Sequence, residues 1–300
     1  MVRMPALALS ALPGQRRITI EIAAEAERRA FTGIYCPSVG DPVALCQAIA
    51  GATSTIPIGT AIEPIYLRSP QSLARTGALV HELAGGRFRL GVGVSHDALN
   101  TRYHLQAGKP LQDMRDYVAA LRAMEGETGA LPPIVLAALR NKMLDLACEI
   151  ADGAILAGAS RSFAARQILR IPTDKRQAGF FLANVAPTVI DADVAAADAA
   201  IRRMTAMYVQ FPSYRNYWRE AGYIEEMDAA EEAIAKGELD RLPSLMSDCW
   251  LADCCLYGSP ATVREGVEAW WDAGIAPILT MSSTRGEQLE GVRELFDAYA

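Results

Sequence analysis

The chain has 300 residues, 51% of them hydrophobic and 21% charged, with a net charge of −6. This composition supplies a large apolar core and excludes a disordered or low-complexity chain. No basic block suggests a nucleic-acid footprint, and no apolar run approaches a membrane span. The length suits one large domain or two medium ones, and single α/β barrels commonly fill it. None of the six cysteines forms a C-x-x-C pair, and His81, His96 and His104 make no H-E-x-x-H. A reduced, cytoplasmic protein without a bound metal is the reading.

The start, "MVRMPALALSALPG", imitates a leader peptide, but its apolar part is short and an amphipathic helix follows. It is read as a first buried strand, "PALALSAL". "ITIEIAAEAERRAF" carries Ile18, Ile22, Ala26 and Ala30 on one stripe, as a surface helix does. "GIYCP" is the second strand. Asp41 and Pro42 start the next helix as cap and first-turn proline. "IPIGTAIEP" is the third strand. Ser69 caps a helix that Gly85 and Gly86 end, and "RFRLGVGVS" is the fourth strand.

Beyond a polar loop come the helix "KPLQDMRDYVAALRAM" and the fifth strand, "PPIVLAA". "DGAILAG" and "AGFFLANVAP" are strands six and seven, each preceded by a helix. Residues 191–247 read as a helical insertion. Ser259 caps a late helix, "IAPILTMSS" is strand eight, and a helix closes the chain. Eight buried strands alternating with helices predict an α/β fold, the (β/α)8 TIM barrel. An open doubly wound sheet is the alternative, but the first strand–helix connection lacks G-x-G-x-x-G.

Active sites of such barrels lie at the C-terminal strand ends. Those ends hold Tyr35 and Cys36, then Ala61, Ile62 and Glu63, then Ser95, His96 and Asp97. Ala138, Ala157–Ser160, Asn184 and Met281–Ser283 follow. His96 and Asp97 are residue types that move protons. Gly91 and Gly93 share one face of strand four, so they either clear a trough for a ligand or fit a crowded interior. "AGASRS" enters a helix and suits a phosphate, or is a plain capped turn. Tyr214, Tyr217, Trp218 and Tyr223 give the insertion an aromatic surface that packs it onto the barrel or lines a substrate pocket.

Four stretches, "IPIGTAIEPIYLRSP", "LAGGRFRLGVGVSHDALN", "KPLQDMRDYVAALRAM" and "PPIVLAALRNKMLDLACEIADGAILAGAS", carry a resemblance that the late "YGSPATVREGVEAWWDAGI" extends. The chain resembles the bacterial-luciferase-like flavin and deazaflavin oxidoreductases, in particular their F420-dependent branch. The resemblance implies a single luciferase-like domain over 1–300 and a homodimer acting on a small-molecule substrate. It implies coenzyme F420, with FMN as the alternative, and hydride transfer. An FMN-dependent monooxygenase and a non-catalytic flavin-binding barrel are the other readings.

The resemblance further implies a bulge with a non-proline cis peptide behind the ring at Ala61-Ile62-Glu63. It sets Gly91 and Gly93 near the ring, with Ala138 in the cofactor-binding set, and gives the phosphate to Gly158, Ala159 and Ser160. Asp97 matches an acidic proton-transfer residue and Asn100 a cofactor-contacting one. The acid is shorter here, an extra residue precedes it, and "YCPSVGD" replaces an Asp-His pair on strand two. The proton therefore comes from Asp97, His96 or Tyr35, and the family's sugar-phosphate chemistry is not carried over.

Overall fold

A computed structural model describes residues 3–300, without the side chains of residues 97–99. Its strands are β1 (Ala6–Ala8), β2 (Ile34–Cys36), β3 (Ile58–Thr60), β4 (Glu63–Pro64), β5 (Phe88–Gly93), β6 (Ile134–Ala137), β7 (Gly153–Ala157), β8 (Phe181–Ile190), β9 (Leu256–Gly258) and β10 (Ala276–Ser282). Helices alternate with them, and the fold is the (β/α)8 barrel that the sequence predicts. β3 and β4 are one barrel strand broken in two. β9 is an addition of three residues, too short for a periodicity to announce it. No helix among the described residues is long and apolar enough to cross a membrane.

The caps behave as their chemistry demands. Asp41, Ser69 and Ser259 each accept a backbone N–H of the first turn, with Pro42, Pro70 and Pro260 behind them. Gly85 and Gly86 end the helix Pro70–Leu83 at positive φ.

The chain divides into two compact units. Met4–Leu156 with Arg170–Ala183 form the amino-terminal one; Ala157–Leu169 and Asn184–Ala300 form most of the other. In the amino-terminal unit the strands pair in parallel register, Tyr35 beside Gly59 and Leu136 beside Ala154. The Tyr35 and Phe181 rings stack with centroids 5.5 Å apart. The Arg89 guanidinium lies 4.8 Å from the Phe181 centroid. In the carboxy-terminal unit β8 pairs with β9, Thr188 beside Leu256. Helices Val194–Val209, Pro212–Ala221 and Ile224–Ala235 occupy the predicted insertion, and a further helix, Asp248–Cys254, extends it past residue 247. β8 runs on to Ile190, so Asn184 lies within the strand and not at its end.

The break between β3 and β4 is a bulge. Gly59 faces Arg89 and Glu63 faces Val92, so Thr60, Ala61 and Ile62 stand opposite only Leu90 and Gly91. The extra residue costs the ladder its regular bonds. The buried Thr60 hydroxyl replaces them, donating to the Gly91 carbonyl at 2.7 Å and accepting the Gly91 N–H at 2.8 Å. Gly91 is required there, because a Cβ would stand 2.1 Å from the Thr60 carbonyl oxygen. Thr60→Val keeps the side chain's shape and leaves two buried backbone groups unpaired. Urea unfolding is expected to register a loss of about 2–4 kcal/mol for Thr60→Val, with Thr60→Ser close to the parent.

Candidate active site

In the amino-terminal unit, the bulge decides what the C-terminal strand ends present. Ile62 and Glu63 point to opposite faces, as successive strand residues do. Ile62 lies over Gly93, where an added Cβ would come within 2.5 Å of its Cδ1 and 2.9 Å of the Ala137 Cβ. The space over both glycines of β5 is therefore filled by the bulge and its neighbours. Gly91 and Gly93 fit a crowded interior and do not leave an open trough. The bulge expected at Ala61-Ile62-Glu63 is present, but no peptide bond among the described residues is cis. The inserted residue and the Thr60 hydroxyl turn the strand with trans bonds.

Glu63 faces the helix layer. It is 2% exposed, and Arg68 Nε lies 3.2 Å from its Oε1. The same guanidinium reaches Asp41 at 2.5 Å, so one arginine serves two acids. The Arg68 carbonyl accepts the Tyr117 hydroxyl at 3.0 Å. Glu63 Oε2 is buried without a partner among the described residues. Burial outweighs Arg68, and the Glu63 carboxyl is pushed up to about 7. Cys36 and Cys46 pack beside this group, and burial raises the Cys46 thiol, so Cys36 is a packing residue.

Past β5 the chain turns through Ser95 at φ +65°, a left-handed conformation rare outside glycine. Half-buried His96 follows, then the short helix Asp97–Arg102. The Asp97 side chain lies outside the described residues. Asn100 is buried, donates its N–H to the His96 carbonyl at 3.0 Å, and its Oδ1 has no partner among the described residues. That orphaned amide is the best fit here to a polar ligand edge. Ala138 is buried beyond β6 and donates its N–H to the Ile155 carbonyl. Tyr35 is not an acid at this end. Its hydroxyl accepts from Arg89 Nη1 at 3.3 Å, towards the start of β5, and burial raises it.

In the carboxy-terminal unit, Gly158, Ala159 and Ser160 lead into the helix Arg161–Gln167 as expected. Ser160 caps that helix through the Phe163 N–H at 3.2 Å. The Asp253 carboxylate already takes the donors. It accepts the Ser162 N–H at 2.9 Å, the Ser162 hydroxyl at 2.7 Å, the Tyr223 hydroxyl at 2.8 Å and a short bond from Ser160 Oγ. Desolvation opposes these bonds, yet they hold Asp253 below the usual carboxylate range. A phosphate at this turn would meet the like charge of Asp253, which already takes the serine donors. Trp218 donates to the Gly158 carbonyl at 3.0 Å and stands edge-on to Trp250. Tyr214, Tyr217 and Trp218 are buried packing residues, not a pocket lining. Asn184 Oδ1 accepts the Ala159 N–H at 3.1 Å.

The family model described as luciferase-like monooxygenase matches residues 7–276. The chain belongs to that family. A Mycobacterium tuberculosis protein named as a coenzyme F420-dependent oxidoreductase is 24% identical to it, with 92% of each chain covered. The solved coenzyme F420-dependent tetrahydromethanopterin reductase of Methanopyrus kandleri superposes with a TM-score of 0.75 at 19% identity, covering 97% of each chain. The FMN-bound oxygenating constituent of 3,6-diketocamphane monooxygenase from Pseudomonas putida gives 0.62 at 16% identity, covering 93% of this chain and 91% of that one. The proteins it is similar to thus include ones named for a deazaflavin and one solved with a flavin.

Thr60 and Asp253 escaped the sequence reading. Their partners lie 31 and 93 residues away, beyond the reach of local sequence patterns. Glu63 yields a pH test. Its folded value stands above the ordinary one, so the folded chain holds the extra proton from about pH 4.5 to about 7. Stability falls as pH rises through that window. Glu63→Gln should flatten this fall, gaining about 3 kcal/mol on the parent between pH 4.5 and 8 in urea unfolding.

Proposed function

We propose that this protein is an oxidoreductase transferring a hydride between coenzyme F420 and a small organic substrate. The observation that carries the reading is the bulge at Thr60–Ile62 on the strand paired with β5, with a buried Asn100 amide oxygen lacking a partner among the described residues beyond β5, in a chain whose relatives include F420-dependent enzymes. Asn100 would hold a polar edge of the deazaflavin, and the Ala61–Ile62 backbone would back its ring. When bound, the deazaflavin supplies the hydride-accepting or hydride-donating carbon. His96 and Asp97 are the proton-transfer candidates, one at the turn beyond β5 and one opening the next helix. Gly91 and Gly93 serve by leaving no bulk near the bulge, Glu63 serves from behind it, and Ala138 is proposed as part of the cofactor-binding set beyond β6. Gly158, Ala159 and Ser160 are not assigned the cofactor phosphate, since Asp253 takes their helix end.

A flavin-dependent monooxygenase is the second reading, favoured by the FMN-bound relative. Absorption titrations with F420 and with FMN separate the two. F420 is expected to bind saturably and FMN weakly or not at all. Tight FMN binding without F420 binding would overturn the deazaflavin assignment.

A further inference from the structure

A cavity of about 680 Å³ opens where β5, β6, β7 and β8 of the amino-terminal unit begin. This is the end of the barrel opposite the catalytic strand ends, where side chains ordinarily serve stability alone. Its size is within the range of small-molecule sites.

The charges in it do not balance. Arg122 is paired with Asp152 at 3.3 Å, and Asp152 also accepts the Ile134 N–H. Among the described residues Arg89, Lys175 and Glu125 make no ion pair in this cavity, which leaves one positive charge in excess. Arg89 is half-buried, and among the described residues the one hydrogen bond of its guanidinium, to Tyr35, is long at 3.3 Å. Its guanidinium is nevertheless held in place, flat aromatic carbon on one side at Phe181 and the Tyr35 hydroxyl at its tip. A fixed guanidinium with spare donors matches a carboxylate, which can take two of them at once. Lys175 supplies a second cation from the helix Thr173–Gln177. Pro132, Pro133 and Phe181 supply apolar wall between these charges, with His81 and Glu125 also lining the cavity.

We infer that this cavity is a second binding site, for a small organic carboxylate with a flat apolar body, held by Arg89 and Lys175. The site uses no residue assigned to hydride transfer and does not depend on which cofactor the protein takes.

Benzoate is the probe, with benzamide as its neutral counterpart, in isothermal titration calorimetry on the full chain. Benzoate is expected to bind saturably and benzamide at least about tenfold more weakly, since one charge-assisted hydrogen bond is worth that ratio. Lys175→Glu lies on a short surface helix and should leave the fold intact while weakening benzoate by at least about tenfold. Arg89→Lys, checked for folding by circular dichroism, should weaken it similarly. The proposal is overturned if benzoate fails to saturate at millimolar concentration. It is equally overturned if benzamide matches benzoate, or if Lys175→Glu binds benzoate as the parent does.

Discussion

A single threonine hydroxyl, Thr60 Oγ1, bonded to both backbone groups of Gly91, carries the arrangement of the amino-terminal unit. A bulge removes ladder bonds, and buried backbone groups left unpaired are costly. Thr60 makes the irregularity affordable in the interior. Because one residue is inserted, everything after it on the strand changes face. Ile62 closes over Gly93, and Glu63 turns towards Arg68 and Asp41. Gly91 belongs to the same device, since any side chain there would strike the Thr60 carbonyl.

Electrostatics divide the molecule's carboxylates into different roles. Glu63 is desolvated and half-supplied with partners, so its carboxyl is pushed up to about 7 and is shared between protonated and ionised forms at physiological pH. Asp253 is also partly desolvated, but four donors surround it and it stays ionised. Burial alone therefore predicts neither state; the count of donors decides. Asp253 also changes what the helix Arg161–Gln167 can do. Its first turn bonds an anion from its own chain, and the Gly158 carbonyl before it accepts the Trp218 indole N–H.

Local chemistry was legible in the sequence and distant chemistry was not. Asp41, Ser69 and Ser259 act on N–H groups three residues away, so their caps could be read directly. The eight barrel strands were legible because each is a short apolar run between helical stripes. The glycine pair of β5 left two readings open, because whether a carbonyl or empty space faces Gly91 depends on a strand 31 residues earlier. The family resemblance led to the bulge but also to a cis bond that is not found among the described residues. The hydroxyl of Tyr35 looked available at a strand end, whereas its ring points back to Arg89. β9 was missed because three residues carry no period.

The central claim is that the Thr60-locked bulge shapes the face that takes the deazaflavin. Fluorescence titration of F420 into the parent, Thr60→Ser and Thr60→Val tests it most directly, at a temperature where all three are folded. The account expects the parent and Thr60→Ser to bind alike and Thr60→Val to bind at least about tenfold more weakly, the equivalent of about 1.4 kcal/mol. Equal binding by Thr60→Val, or no binding by the parent, would contradict it.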